Sequence, residues 1–177
     1  MEIIGDLEIN GDLGDLGIIG DFGDWKFIFK KIKMKEILQK QIDTINKQFQ
    51  ALESSYNHIK KLNLDELVSY EDLEPVDAYL DRFSRFVDYL FSQLFRTIYM
   101  IENMSWEHPT NRQLALFVVK KWLVDSLDNL SSLKQLRNKL AHEYIDTDTE
   151  FVINQINNFL PLLSKILENV ETYYEKL

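Results

Sequence analysis

Cysteine is absent from the 177 residues, and only three histidines occur. Disulfides and thiolate zinc sites are therefore excluded, and a multi-histidine metal centre has too few ligands. No apolar run approaches the ~20 residues that a membrane-spanning helix needs. The first residues lack the basic flank, apolar block and small-residue cleavage site of a secretory signal, so a cytoplasmic protein with no membrane partner is expected. All six glycines lie between Gly5 and Gly23, and the three prolines are Pro75, Pro109 and Pro161. Acidic residues outnumber basic ones by 29 to 20, a net charge of −9 that argues against general coating of nucleic acid and against a DNA partner. One arginine in a cleft can still hold an anion under such an exterior.

Residues 1–33 read as a separate region. From Gly11 to Trp25 the chain runs in triplets, Gly-Asp-Leu, Gly-Asp-Leu, Gly-Ile-Ile, Gly-Asp-Phe, Gly-Asp-Trp. Proline is missing and the tract is too short for a collagen-like triple helix. Glycine at every third position opposes an α-helix, and strict alternation for a strand is absent. The expectation is a low-complexity, mostly disordered tract, with a helical domain over 34–177. The alternative is an apolar-acidic arm that docks on a partner.

The remainder reads as an all-α, antiparallel up-and-down bundle of four to five helices. A first helix over about 34–62 carries Leu38, Ile42, Ile45, Phe49, Leu52, Tyr56 and Ile59 at alternating spacings of four and three, a heptad seam. A polar link leads to Pro75, well placed as the first residue of a second helix reaching about Met104. The apolar stripe of that helix, from Tyr79 through Phe83, Phe86, Phe91 and Phe95 to Ile101, is too wide for one core face. It implies a bundle surface plus a subunit contact, unless other helices of the same chain cover it. A third helix spans about 111–127 with Leu114, Phe117, Val118 and Trp122 inward. Ser131 or Ser132 can cap a fourth helix carrying Leu133, Leu136 and Leu140. Thr147 with Glu150 can cap a fifth that runs to the C-terminus, kinked or broken at Pro161.

The fourth helix ends in Arg137-Asn138-Lys139-Leu140-Ala141-His142-Glu143-Tyr144. Arginine grips phosphate, histidine moves protons near neutral pH, and tyrosine carries a modifiable hydroxyl. On an ideal helix Arg137 and Tyr144 share a face, whereas Arg137 and His142 diverge by ~140°. They converge only through the reach of the arginine, a bend at the helix end, or a second subunit across a two-fold axis. In such a cleft His142 can accept the proton of a ribose 2′-hydroxyl, Arg137 can stabilise the phosphate, and Asn138 can orient either. This chemistry needs no metal or cofactor and is confined to RNA. The blander readings are an arginine paired with an acidic neighbour, a histidine placed at a helix C-terminus for charge, and a half-buried interface tyrosine.

The complete octapeptide resembles the Arg-x4-His-x-Tyr signature of the HEPN family, in its HepT-like branch. Tyr79-Leu80-Asp81-Arg82-Phe83 resembles an upstream segment of that branch, and 122–136 the stretch leading into the motif. The resemblance implies a helical bundle that dimerises through the motif, and a ribonuclease toxin neutralised by a minimal nucleotidyltransferase antitoxin. Carried onto this chain, it makes Arg137 and His142 catalytic, Asn138 auxiliary and Tyr144 the site of adenylylation. A sister branch acts as a non-catalytic substrate-binding subunit of a nucleotidyltransferase, and that role stands as the alternative. Arg82 and Lys139 are the further candidates for RNA contact. Asp81 and Arg82 are read as a buried pair or as cleft residues, and His58 and His108 as solvated.

Overall fold

Alternating spacings of three and four along α1 place one stripe of side chains against the rest of the molecule, and that stripe organises the fold. The computed structural model describes residues 22–62, 70–104, 108–142 and 149–177; the side chains of 22–27, 70–72 and 142 are outside the described set. Helix α1 spans Phe22–Ile59. Met34, Leu38, Ile42, Ile45, Phe49, Leu52 and Ile59 are buried along it, as the heptad seam predicts. Tyr56 is only half-buried, and its neighbour Ser55 takes the buried place and returns its hydroxyl to the Ala51 carbonyl. The start differs from expectation: the helix begins at Phe22, not Met34. Glycine ends at Gly23, and the following Trp-Lys-Phe-Ile-Phe-Lys-Lys run contains no breaker, so the helix propagates backward through it. Lys30 Nζ ties this extension down by donating to the Met104 carbonyl at 2.7 Å. The triplets before Phe22 lie outside the described residues.

The second rod is α2, Tyr70–Tyr89, then a π-helical turn over Leu90–Leu94, then α3, Phe95–Asn103. Pro75 lies inside α2 and is not its first residue. It sits close enough to the N-terminus to forfeit a single helical bond. The π turn inserts one residue and rotates the downstream face by ~100°. That rotation explains the wide stripe. Val76, Tyr79, Leu80, Phe83, Phe86, Val87 and Leu90 are buried before it, and Leu94, Phe95, Ile98 and Ile101 behind it. Helices of the same chain cover both faces, so the stripe gives no sign of a subunit contact. Phe86 stacks tilted against Phe49 at 5.7 Å. Truncating so buried an aromatic costs about 3–5 kcal/mol.

Helix α4, Asn111–Lys120, opens on a capping box between Thr110 and Gln113. It stops seven residues short of the expected end, at 120 and not 127. Leu123 N donates to the Val118 carbonyl and Trp122 N to that of Val119, both at 3.0 Å, closing a Schellman motif. Trp122 occupies its left-handed position at φ 58° and is 80% exposed, so it does not point inward. Helix α5, Leu127–His142, starts before the expected caps. Its cap is Ser126, whose Oγ accepts from Asn129 N at 3.1 Å, and Ser131 and Ser132 stand within the helix. Helix α6, Thr149–Glu175, runs unbroken through Pro161, whose exposed position leaves the orphaned carbonyl to water. The proposed cap Thr147 lies outside the described residues.

Pairs across the seams give the directions. Phe49 meets Phe86 and Tyr56 meets Tyr79, so α1 and α2 are antiparallel. Lys134 lies over Phe91 and Arg137 pairs with Asp88, so α2 and α5 are antiparallel as well. The up-and-down expectation fails only for α4. Arg96 donates to the Pro109 carbonyl at the start of α4, while Glu102 pairs with Lys121 just past its end. Helix α4 therefore runs alongside α3 in the same direction. Among the described residues no helix is long and apolar enough to cross a membrane.

Candidate active site

Helix α5 is amphipathic in two directions. Leu130, Leu133 and Leu136 are buried in the core, and residues on either side of that stripe line two separate grooves. Arg137 falls on the side facing α2. There it borders a groove of about 260 Å³ with Leu80 and Leu140 as apolar floor and Asp77, Asp81 and Ser84 from α2.

The guanidinium of Arg137 is engaged within this protomer. One terminal nitrogen pairs with the Asp88 carboxylate, and the other donates to Asn138 Oδ1 at 3.5 Å. Its Nε is buried with no hydrogen-bond partner among the described residues. The Arg137 side chain is 29% exposed and that of Asp88 50%, so the pair sits at the groove's rim within reach of water. An exposed pair of this kind contributes little to stability, about 0–1 kcal/mol. A phosphate, with two acceptor oxygens for the same fork, is a strong competitor for it.

The other motif residues separate around the helix. Asn138 is exposed next to Arg137. Lys139 is on the opposite side, facing α6, with its ammonium 5.6 Å from the centroid of the Phe151 ring. The backbone of His142 is the last residue of α5, where unpaired carbonyls favour a cation. The His142 side chain and all of Tyr144 lie outside the described residues.

Arg82 is not brought to Arg137. It donates to the Ser55 hydroxyl across the α1–α2 seam, and lines a groove there with His58, Glu74 and Pro75. Asp81 does not pair with it but with Arg85, one turn on, at 2.6 Å in an exposed bridge. The Asp-x3-Arg spacing carries that signal in the sequence. Asp88 is the site residue that sequence reasoning missed. It is one acidic residue among many, 49 positions from its partner, and only the α2–α5 register identifies it. Behind the site, Lys134 lies with its ammonium 4.5 Å from the Phe91 centroid, inside the π turn. Burial, and then the nearby Arg96 charge, hold its pKa below the ordinary lysine range.

Comparison with family models matches residues 97–170 to a family described as Ribonuclease HepT-like. The matched stretch runs from α3 into α6, takes in all of α4 and α5, and contains the whole octapeptide; Asp88 and Arg82 precede it. No curated protein and no solved structure matches the chain.

Proposed function

We propose, from the match of residues 97–170 to the family described as Ribonuclease HepT-like, that the protein is a ribonuclease toxin acting through Arg137 and His142. The observation that carries this reading is the position of Arg137. It lies at a groove rim, inside the matched stretch, with a guanidinium that, among the described residues, an exposed carboxylate and a weak amide contact engage.

In the proposed reaction His142 takes the proton of a ribose 2′-hydroxyl. The 2′-oxygen attacks the adjacent phosphorus, and the bond from phosphorus to the 5′-oxygen breaks. The products are a 2′,3′-cyclic phosphate and a 5′-hydroxyl, whose oxygen takes a proton from water while His142 returns its proton to solvent. Arg137 leaves Asp88 for the phosphate and stabilises its added negative charge. Asn138 steadies the guanidinium through its Oδ1. A two-fold dimer brings two copies of the motif to one cleft and supplies the convergence that one ideal helix lacks. Adenylylation of Tyr144 by a minimal nucleotidyltransferase would add a bulky anion beside that cleft and exclude RNA by charge and size.

The deciding experiment is RNA cleavage by the purified protein in EDTA. Wild-type protein is expected to cut and His142→Ala to be inert. Cleavage persisting in that variant removes the catalytic assignment. A second reading has its own support: Asp77 and Asp81 flank the Arg137 groove and Asp88 holds the arginine. Those carboxylates favour a non-catalytic subunit that presents substrate to a nucleotidyltransferase. That reading expects no cleavage by the isolated protein and co-purification with the transferase.

A further inference from the structure

The opposite side of α5 carries a second groove, of about 490 Å³, between α5 and α6. Phe151 and Phe159 bring aromatic surface to it, and Gln135, Gln155 and Asn158 bring side-chain amides. Lys139 reaches in from the motif itself, with its ammonium against the Phe151 ring. Phe151 is 48% exposed. None of the described lining residues is acidic, in a chain whose net charge is −9.

A half-exposed aromatic residue, side-chain amides and one ammonium are the groups that take an unstacked nucleobase. The ring stacks on the base, the amides can both donate to and accept from its edges, and the cation meets the attached phosphate. The volume is in the range of small-ligand sites. The placement on α5 links this groove to the motif. On an ideal helix the His142 position is ~60° from Lys139 and ~140° from Arg137. The end of α5 thus stands between the two grooves, and a strand crossing it passes from one to the other.

We propose that the α5–α6 groove is a base-binding subsite for single-stranded RNA, seating a base close to the bond that Arg137 and His142 act on. The inference rests on the ribonuclease reading and adds to it a determinant of sequence preference.

The test compares full-length wild type, Phe151→Ala and Asn158→Ala on oligoribonucleotides that differ in one base near the cleaved bond. Wild type should discriminate among the four bases. Loss of the stack in Phe151→Ala should raise KM on the order of tenfold and level that discrimination, with kcat within about twofold. Asn158→Ala, at an exposed position, should change the preferred base with an unchanged melting temperature. Unaltered KM and base preference in both variants overturn the subsite. If wild type does not cleave, the ribonuclease reading fails instead. Fluorescence anisotropy of a labelled oligoribonucleotide on His142→Ala protein, with and without Phe151→Ala, then decides the subsite alone. An affinity that is absent, or indifferent to Phe151, overturns it.

Discussion

Helix α5 borders two grooves of opposite character. Toward α2 the groove is acidic, with Asp77 and Asp81 on its wall and Arg137 held by Asp88. Toward α6 the groove has no carboxylate in its described lining and offers Lys139, two phenylalanines and amides. On the proposed reading the acidic side holds a cation that must be released to act, because phosphate would compete with Asp88 for the guanidinium. The aromatic side suits passive recognition by stacking and hydrogen bonds. On the same reading one octapeptide serves two tasks, because residues two apart on a helix point ~200° from each other.

The largest expected effect separates those tasks. Arg137→Ala should lower kcat by about 10²–10³, the cost of removing one donor from a developing oxyanion. Its affinity for an uncleaved oligoribonucleotide should fall far less. Lysine at 137 should rescue little, because a point charge does not replace the two-pronged fork. If Phe151→Ala proves to lower kcat as severely as Arg137→Ala, the division of labour is broken.

Next in size is the release of Arg137. Asp88→Asn removes the charge that competes with phosphate while keeping the shape of the pair. RNA affinity is expected to rise several-fold, on the order of 1 kcal/mol, and the melting temperature to change little, since a half-exposed pair contributes about 0–1 kcal/mol. Reduced affinity, measured by fluorescence anisotropy, would show that Asp88 positions the arginine and does not restrain it.

The two sides were unequally legible in the sequence. The α1 seam could be read almost residue for residue, because heptad spacing directly encodes which face is buried. The octapeptide could be read as a chemical unit, because arginine, histidine and tyrosine are informative by type. The distribution of its members between two grooves depended on which helices flank α5, and no local pattern specifies that. Asp88 was invisible for the same reason. The π turn at 90–94 has no sequence mark, so the rotation of the stripe read as an excess of apolar surface. One boundary and one ion pair were recoverable: Ser126 stands before Leu-Asp-Asn-Leu as an N-cap should, and Asp81 stands four before Arg85. Arg82 was read as a further RNA-contact candidate, while its place on α2 turns it to Ser55 and α1.

A titration probes the frame on the α6 side. Burial pushes the Glu102 carboxyl up, but bonds from Lys121 and Tyr173, with the charges of Lys121 and Lys31, outweigh it and hold the group below the ordinary value of 4.5. A depressed carboxylate contributes stability that is complete above its unfolded pKa and is lost as pH falls through the lower folded value. Acidification below about pH 4.5 should therefore loosen the junction of α3, α4 and α6. Glu102→Gln should remove that part of the acid sensitivity and cost on the order of 1 kcal/mol at neutral pH. A melting curve of Glu102→Gln with unchanged dependence on acid would place the sensitivity elsewhere.

The smallest effect tests whether two grooves are enough. Glycine is absent after Gly23, so the left-handed cap positions fall to Met104 and Trp122. A side chain with a Cβ costs roughly 1–2 kcal/mol there. Trp122 is 80% exposed and gains little burial to offset it. Trp122→Gly should therefore stabilise the protein by about 1 kcal/mol, a rise of about 2–4 °C in melting temperature. Trp122→Ala retains the Cβ and should leave stability near the wild-type value, so the pair of variants isolates backbone strain from the loss of the indole. Neither should alter RNA affinity if binding is confined to the two sides of α5. A fall in affinity common to both variants would mean that the exposed indole also contacts RNA, and the strained cap would then have a functional reason to keep tryptophan where glycine fits better.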